Sequence, residues 1–142
     1  FLMRREELLG KIDVLLAGRA IEEIVFGDIS TGAANDLTRA TEIARKMITD
    51  YGMSEKFRNV YLPSRRAGSF LEDGGVLQRE YSESTQTYID EETARIIDQR
   101  YEHVLEVIRE NRDVVERVTN ALLAEEVIDR DRFVELMEKP AA

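Results

Sequence analysis

The sequence predicts a mainly α-helical bundle, and three observations carry that expectation. Apolar residues recur at i, i+4 and i+7 spacing along most of the chain, only two prolines interrupt it, and 43% hydrophobic content stands beside 35% charged residues. At 142 residues the chain is expected to form one helical domain, 1–142, burying roughly two thirds of its unfolded surface. Short connections favour antiparallel neighbours.

The first stripe, Leu8, Ile12, Leu15 and Leu16, predicts a helix over residues 5–17. Gly18 is expected to loosen it, and Ile21, Ile24 and Val25 mark a second short stripe over 19–26, closed by Gly27 as a C-cap. Residues 28–35 are rich in side chains that bond the local backbone and read as a loop. Leu37, Ala40, Ala44, Met47, Ile48 and Tyr51 predict a helix over 36–51, stopped by Gly52. Between residues 53 and 81 the helical period fails. Val60, Tyr61 and Leu62 before Pro63 suit a short strand over 57–62, and the polar, glycine-bearing run that follows reads as a loop, with 67–81 more mobile than its flanks. From Ser82 onward Ile89, Ile96, Ile97, Tyr101, Val104, Leu105 and Ile108 share one side of a helix of up to about 28 residues. A bend at Asn111 leads to a helix from near Arg112 with Val115, Val118 and Leu122 inward. A short last helix follows Asp129, an N-cap, with Phe133, Leu136 and Met137 packing back.

A net charge of −9 argues against a broad nucleic-acid or anionic-membrane surface, since both need clustered Lys and Arg. The absence of cysteine excludes disulfides, thiolate zinc sites and a cysteine nucleophile. A single histidine, His103, excludes a His–His metal pair within these residues and reads as a surface or boundary position on its helix. No stretch is apolar for long enough to span a membrane, and no signal-peptide pattern precedes the first helix. The start at Phe1 reads as a piece of something longer.

Few residues are candidates for chemistry. Asp36 follows Ser-Thr-Gly-Ala-Ala-Asn at a helix start, where the helix dipole alone favours a carboxylate by ~0.3–1 kcal/mol. It reads either as that structural feature or as a ligand completing a site built by residues elsewhere. Glu6, Glu7, Glu22 and Glu23 come in adjacent pairs that point about 100° apart on a helix, so they do not converge as an acid–base couple and read as solvated faces. Ser30 and Thr31 have no local base and read as caps. Gly74-Gly75 lacks any phosphate-loop pattern.

Three segments carry a resemblance. They are Leu-Leu-Ala-Gly-Arg-Ala-Ile-Glu-Glu-Ile-Val-Phe-Gly over 15–27, Ile-Ser-Thr-Gly-Ala-Ala-Asn-Asp-Leu-Thr-Arg-Ala-Thr over 29–41, and Tyr-Gly-Met-Ser-Glu-Lys over 51–56. Together they resemble the peptidase domain of the FtsH family, membrane-anchored, ATP-dependent zinc metalloproteases that include mitochondrial and chloroplast AAA proteases. Residues 91–101 and the Ala-Leu-Leu at 121–123 with downstream Asp129 are similar to the family's closing helices. Ile21 departs from a usual alanine, and Phe-Arg-Asn-Val at 57–60 stands where a glycine-proline pair is more common.

The resemblance implies a zinc ion held by two histidines of an H-E-x-x-H helix and by a later aspartate, which here is Asp36; the glutamate of that motif is the general base on zinc-bound water. Neither the histidines nor that glutamate is in this chain, so no catalytic residue is expected within it. The chain on its own is expected to be inactive. The resemblance also implies ATP and Mg2+ in a separate ATPase module, protein substrates, a homo-hexamer, and attachment to a bacterial inner membrane or organelle equivalent through other segments, with this domain on the cytoplasmic side. The alternative is a non-catalytic helical interaction or oligomerisation module.

Overall fold

The computed structural model describes residues 2–66, 77–79 and 81–138. Helix α1 (Arg5–Phe26) begins where the Glu7 carboxylate accepts the Arg4 N–H at 2.7 Å. It runs unbroken through Gly18, so the two segments expected over 5–17 and 19–26 are one helix of 22 residues. A glycine inside a helix costs roughly 0.5–1 kcal/mol relative to alanine. Here Leu16 and Ala20, both buried on either side of it, offset that cost. The helix ends at Gly27, whose left-handed backbone (φ 72°) donates its N–H to Glu23 O at 3.0 Å.

A 3-10 turn, Thr31–Ala33, passes directly into α2 (Ala34–Thr49). This helix starts two residues before Asp36 and stops two before Tyr51. Its end is closed by backbone bonds from Met53 N–H to Met47 O (2.8 Å), Asn59 N–H to Gly52 O (2.9 Å) and Leu62 N–H to Thr49 O (2.7 Å). Those bonds fold residues 52–62 back on the helix, which is why the strand expected over 57–62 does not form there. Gly52 permits the closure: it has φ 58°, and a Cβ at this position would lie 2.9 Å from Asn59 Cα. The strands come later and are three residues each, β1 (Ser64–Arg66) antiparallel to β2 (Leu77–Arg79), with Ser64 opposite Arg79 and Arg66 opposite Leu77. Most of the segment expected to be mobile, 67–81, lies outside the described residues.

Helix α3 (Glu83–Glu110) has the full 28-residue length, capped by Ser82 Oγ accepting the Thr85 N–H. Asn111 marks the bend, donating its side-chain amide to Val107 O at 2.8 Å, and α4 (Arg112–Glu125) follows. Asp129 caps α5 (Arg130–Glu138) through the Arg132 N–H at 2.8 Å.

The core lies where α1, α2 and α3 meet: Ile12, Leu16, Met47, Ile48 and Ile89 are under 2% exposed. A second cluster joins Ala20 to Val104, Leu105 and Ile108, with Val115 of α4 against it. Arg100 of α3 grips Asp13 of α1 with two hydrogen bonds of 2.8 and 2.6 Å, and this carboxylate holds the guanidinium above its usual pKa. Leu122, Phe133 and Met137, expected to face inward, are instead 43–47% exposed, and among the described residues of these two helices only Ala121 and Leu136 are buried.

Candidate metal centre

Asp36 occupies the first turn of α2, where the free N–H groups of the helix favour a carboxylate. Its side chain is 47% exposed, and among the described residues its charged partner is Arg39, one turn on, at 3.9 Å. An exposed pair at that separation contributes little, about 0–1 kcal/mol. The carboxylate is thus held in place by its helix and remains open to a further ligand.

What precedes Asp36 is built with care. Glu22, near the end of α1, accepts the Ser30 hydroxyl at 2.7 Å on one oxygen and the Ser30 N–H at 3.1 Å on the other. The hydroxyl in turn accepts the Gly32 N–H at 3.2 Å, opening the 3-10 turn. These bonds from Ser30, the hydroxyl's first, lower the Glu22 pKa below its ordinary 4.5, because they favour the ionised form. Beside it, Glu23 accepts the Tyr101 hydroxyl of α3, and burial, aided by that bond, pushes the phenol up to about 12.

The glutamate pair read as a solvated face is therefore two tertiary contacts, one to the loop before Asp36 and one to α3. The signal in the sequence was faint: a carboxylate one turn before a glycine C-cap, followed by a serine inside a short loop. Ser30 caps as expected. His103 is exposed on α3, also as expected, and Glu6 is exposed.

Two grooves flank α2. The larger, 670 Å³, lies between α1, α2 and α3 and includes Leu16, Arg19, Thr41, Asp90 and Tyr101 but not Asp36. A second, 610 Å³, is lined by Met3, Val14, Leu15 and Ile43 and carries Glu7, Lys11 and Arg39, the same arginine that reaches Asp36. In the larger groove the Thr41 and Thr93 hydroxyls each donate to a backbone carbonyl of their own helix, at 2.8 and 2.6 Å.

Zinc takes three protein ligands in a catalytic site and leaves a fourth position for water. Asp36 fits as one hard oxygen donor. Among the described residues no group of three or more His, Cys, Asp or Glu side chains gathers to hold a metal, so the donor set within them is incomplete. No described helix is long and apolar enough to cross a membrane.

Residues 1–136 match the model of Peptidase family M41. Curated relatives named ATP-dependent zinc metalloprotease FtsH include those of Syntrophobacter fumaroxidans, 41% identical over 98% of this chain and 22% of its own length, and Thermus thermophilus, 45% over 94% and 21%. The relative of the same name in Bacillus subtilis is 40% identical over 97% of this chain and 22% of its own length. The chain spans about a fifth of the length of these relatives.

Proposed function

The chain belongs to Peptidase family M41, and from that premise we propose that it is the C-terminal part of the peptidase domain of an ATP-dependent zinc metalloendopeptidase, a single helical domain over 1–142 in which Asp36 is a zinc ligand. The observation that carries this reading is the state of Asp36: a half-exposed carboxylate on the first turn of a well-anchored helix, engaged among the described residues by a loose 3.9 Å ion pair, beyond a loop that is pinned to α1.

Bound zinc would polarise the scissile carbonyl and lower the pKa of a bound water toward ~7. The contribution of this chain is positional. Asp36 offers one oxygen to the metal, α2 holds that oxygen through the buried Ala40, Ala44, Met47 and Ile48, and α1 and α3 hold α2. The remaining ligands and the general base come from outside these residues. ATP and Mg2+ belong to a separate module, the helices described here form part of the wall of a hexameric chamber, and the substrates are membrane and unfolded soluble proteins. The parent protein is anchored in a membrane by other segments, with this domain on the cytoplasmic side or its organelle equivalent.

Asp36→Asn in the full-length protein keeps the size and removes the charge. Zinc content and casein degradation are expected to fall together while the melting temperature stays close to wild type. Full zinc with near wild-type proteolysis would refute the assignment, and a collapse of the melting curve would return Asp36 to a purely structural role. The second reading, a non-catalytic interaction module, draws on the exposed apolar side chains of α4 and α5. It would be favoured by a full-length protein that assembles but shows no zinc-dependent proteolysis with Asp36 intact.

A further inference from the structure

We propose that Glu22 and Ser30 form a clamp that positions Asp36, making Glu22 a positioning residue for the metal site; this rests on the reading of Asp36 as a metal ligand. Apart from the Asp28 carboxylate accepting the Ile29 N–H at 2.8 Å, the side-chain hydrogen bonds described for the loop between α1 and α2 converge on Ser30. Residues 27–32 are all exposed, and the 3-10 turn buries no residue, so apolar packing does not set its path. The buried positions of α2 begin at Ala40, one turn beyond Asp36. The first turn of α2, which carries the ligand, therefore takes its position partly from what precedes it.

That preceding chain is a relay of short polar contacts. Glu22 projects from a firm base, since Ala20 is fully buried and the neighbouring Glu23 is bonded to Tyr101 of α3. Its two oxygens accept two different donors of one residue, the Ser30 hydroxyl at 2.7 Å and the Ser30 N–H at 3.1 Å, which fixes both the position and the orientation of Ser30. The hydroxyl accepts the Gly32 N–H, and the Ala34 N–H bonds Thr31 O, so the turn is handed on to the first residue of α2. Two residues later comes Asp36. Groups hydrogen-bonded directly to a metal ligand are worth roughly 10–100-fold in metal affinity, and a clamp that reaches Asp36 through Ser30 and the 3-10 turn belongs at the lower end of that range.

The test uses the full-length protein, with zinc affinity measured by chelator competition and the visible absorption of the Co2+-substituted protein as a geometric readout. Ser30→Ala and Glu22→Gln are each expected to weaken zinc binding by roughly 10-fold and to alter the cobalt bands, with faster hydrogen exchange at Gly32. Ser30→Thr, which keeps the hydroxyl, is expected to restore both. Because the bond from the Ser30 hydroxyl to Glu22 is shared by both residues, the double variant should lose less than the sum of the two single ones. Unchanged zinc affinity and cobalt spectrum in both single variants, despite faster exchange at Gly32, would overturn the clamp, as would losses that simply add. If Ser30→Ala fails to fold, Glu22→Gln, which keeps the shape and one acceptor, decides by the same criteria. Asp36→Asn separates the two layers. Should it leave zinc in place, the metal-ligand reading falls; should it release zinc while the clamp variants hold theirs, only the clamp falls.

Discussion

In the α1–α2–α3 unit Ile12, Leu16, Met47, Ile48 and Ile89 are under 2% exposed, whereas in the α4–α5 hairpin Leu123 and Val127 are each 79% exposed. Both regions carry apolar residues at helical spacing. The first has three helices to wrap around one another, and the second has two short ones held chiefly by Ala121, Leu136 and a polar latch in which Arg117 donates two hydrogen bonds to Leu136 O, at 3.2 and 3.0 Å. Periodicity thus reports which face of a helix is apolar. Whether that face is covered depends on how many other elements reach it.

The contrast is broken or sharpened most strongly by a matched pair of truncations. Ile48→Ala empties a fully buried site and is expected to cost about 2–5 kcal/mol in denaturant unfolding, while Leu123→Ala should stay within about 0.5 kcal/mol. Equal costs would mean that the outer face is packed in solution. Next comes Arg100→Leu, which leaves the largely enclosed Asp13 without its two donors and should cost about 1–3 kcal/mol. A neutral result would show that the α1–α3 seam depends on apolar packing alone.

Arg117→Ala acts on the other region and should cost about 1 kcal/mol locally. Hydrogen exchange is expected to accelerate in α5 and to leave α1, α2 and α3 unaffected; acceleration in all five helices would make them one cooperative unit. The smallest effect is on pH. Glu22 has a lowered folded pKa, so its hold on Ser30 is fully present above the unfolded value near 4.5 and is lost as pH falls through the lowered one. An NMR titration of the Glu22 carboxylate should show a midpoint below 4.5 that returns toward it in Ser30→Ala. An unshifted midpoint in the wild-type protein would remove the contact.

Much of the architecture was legible along the chain because it is local. The cap at Asp129, the bend at Asn111, the stop at Gly27 and the 28-residue length of α3 all follow from short-range chemistry or from an unbroken stripe. The helix through Gly18 was not legible, since the propensity penalty is visible in sequence while the burial of Leu16 and Ala20 that offsets it is tertiary. The same is true of residues 57–62, which have strand-like side chains but return their backbone to Gly52 and Thr49. Asp36 was identified from its motif and loop, and its surroundings came only with the fold.

By itself, then, the sequence determined a helical chain of acidic balance, its caps and stops, its likeness to a peptidase family and the one carboxylate worth testing as a metal ligand. The tertiary structure alone decided which apolar faces are covered and what Glu22 and Glu23 hold. The physical reason is range. Hydrogen bonds within a turn and the 3.6-residue period are properties of neighbouring residues. Contacts such as Glu23 with Tyr101, or Arg100 with Asp13, join residues 78 and 87 positions apart, and no local pattern encodes which charged side chain meets a partner and which meets water.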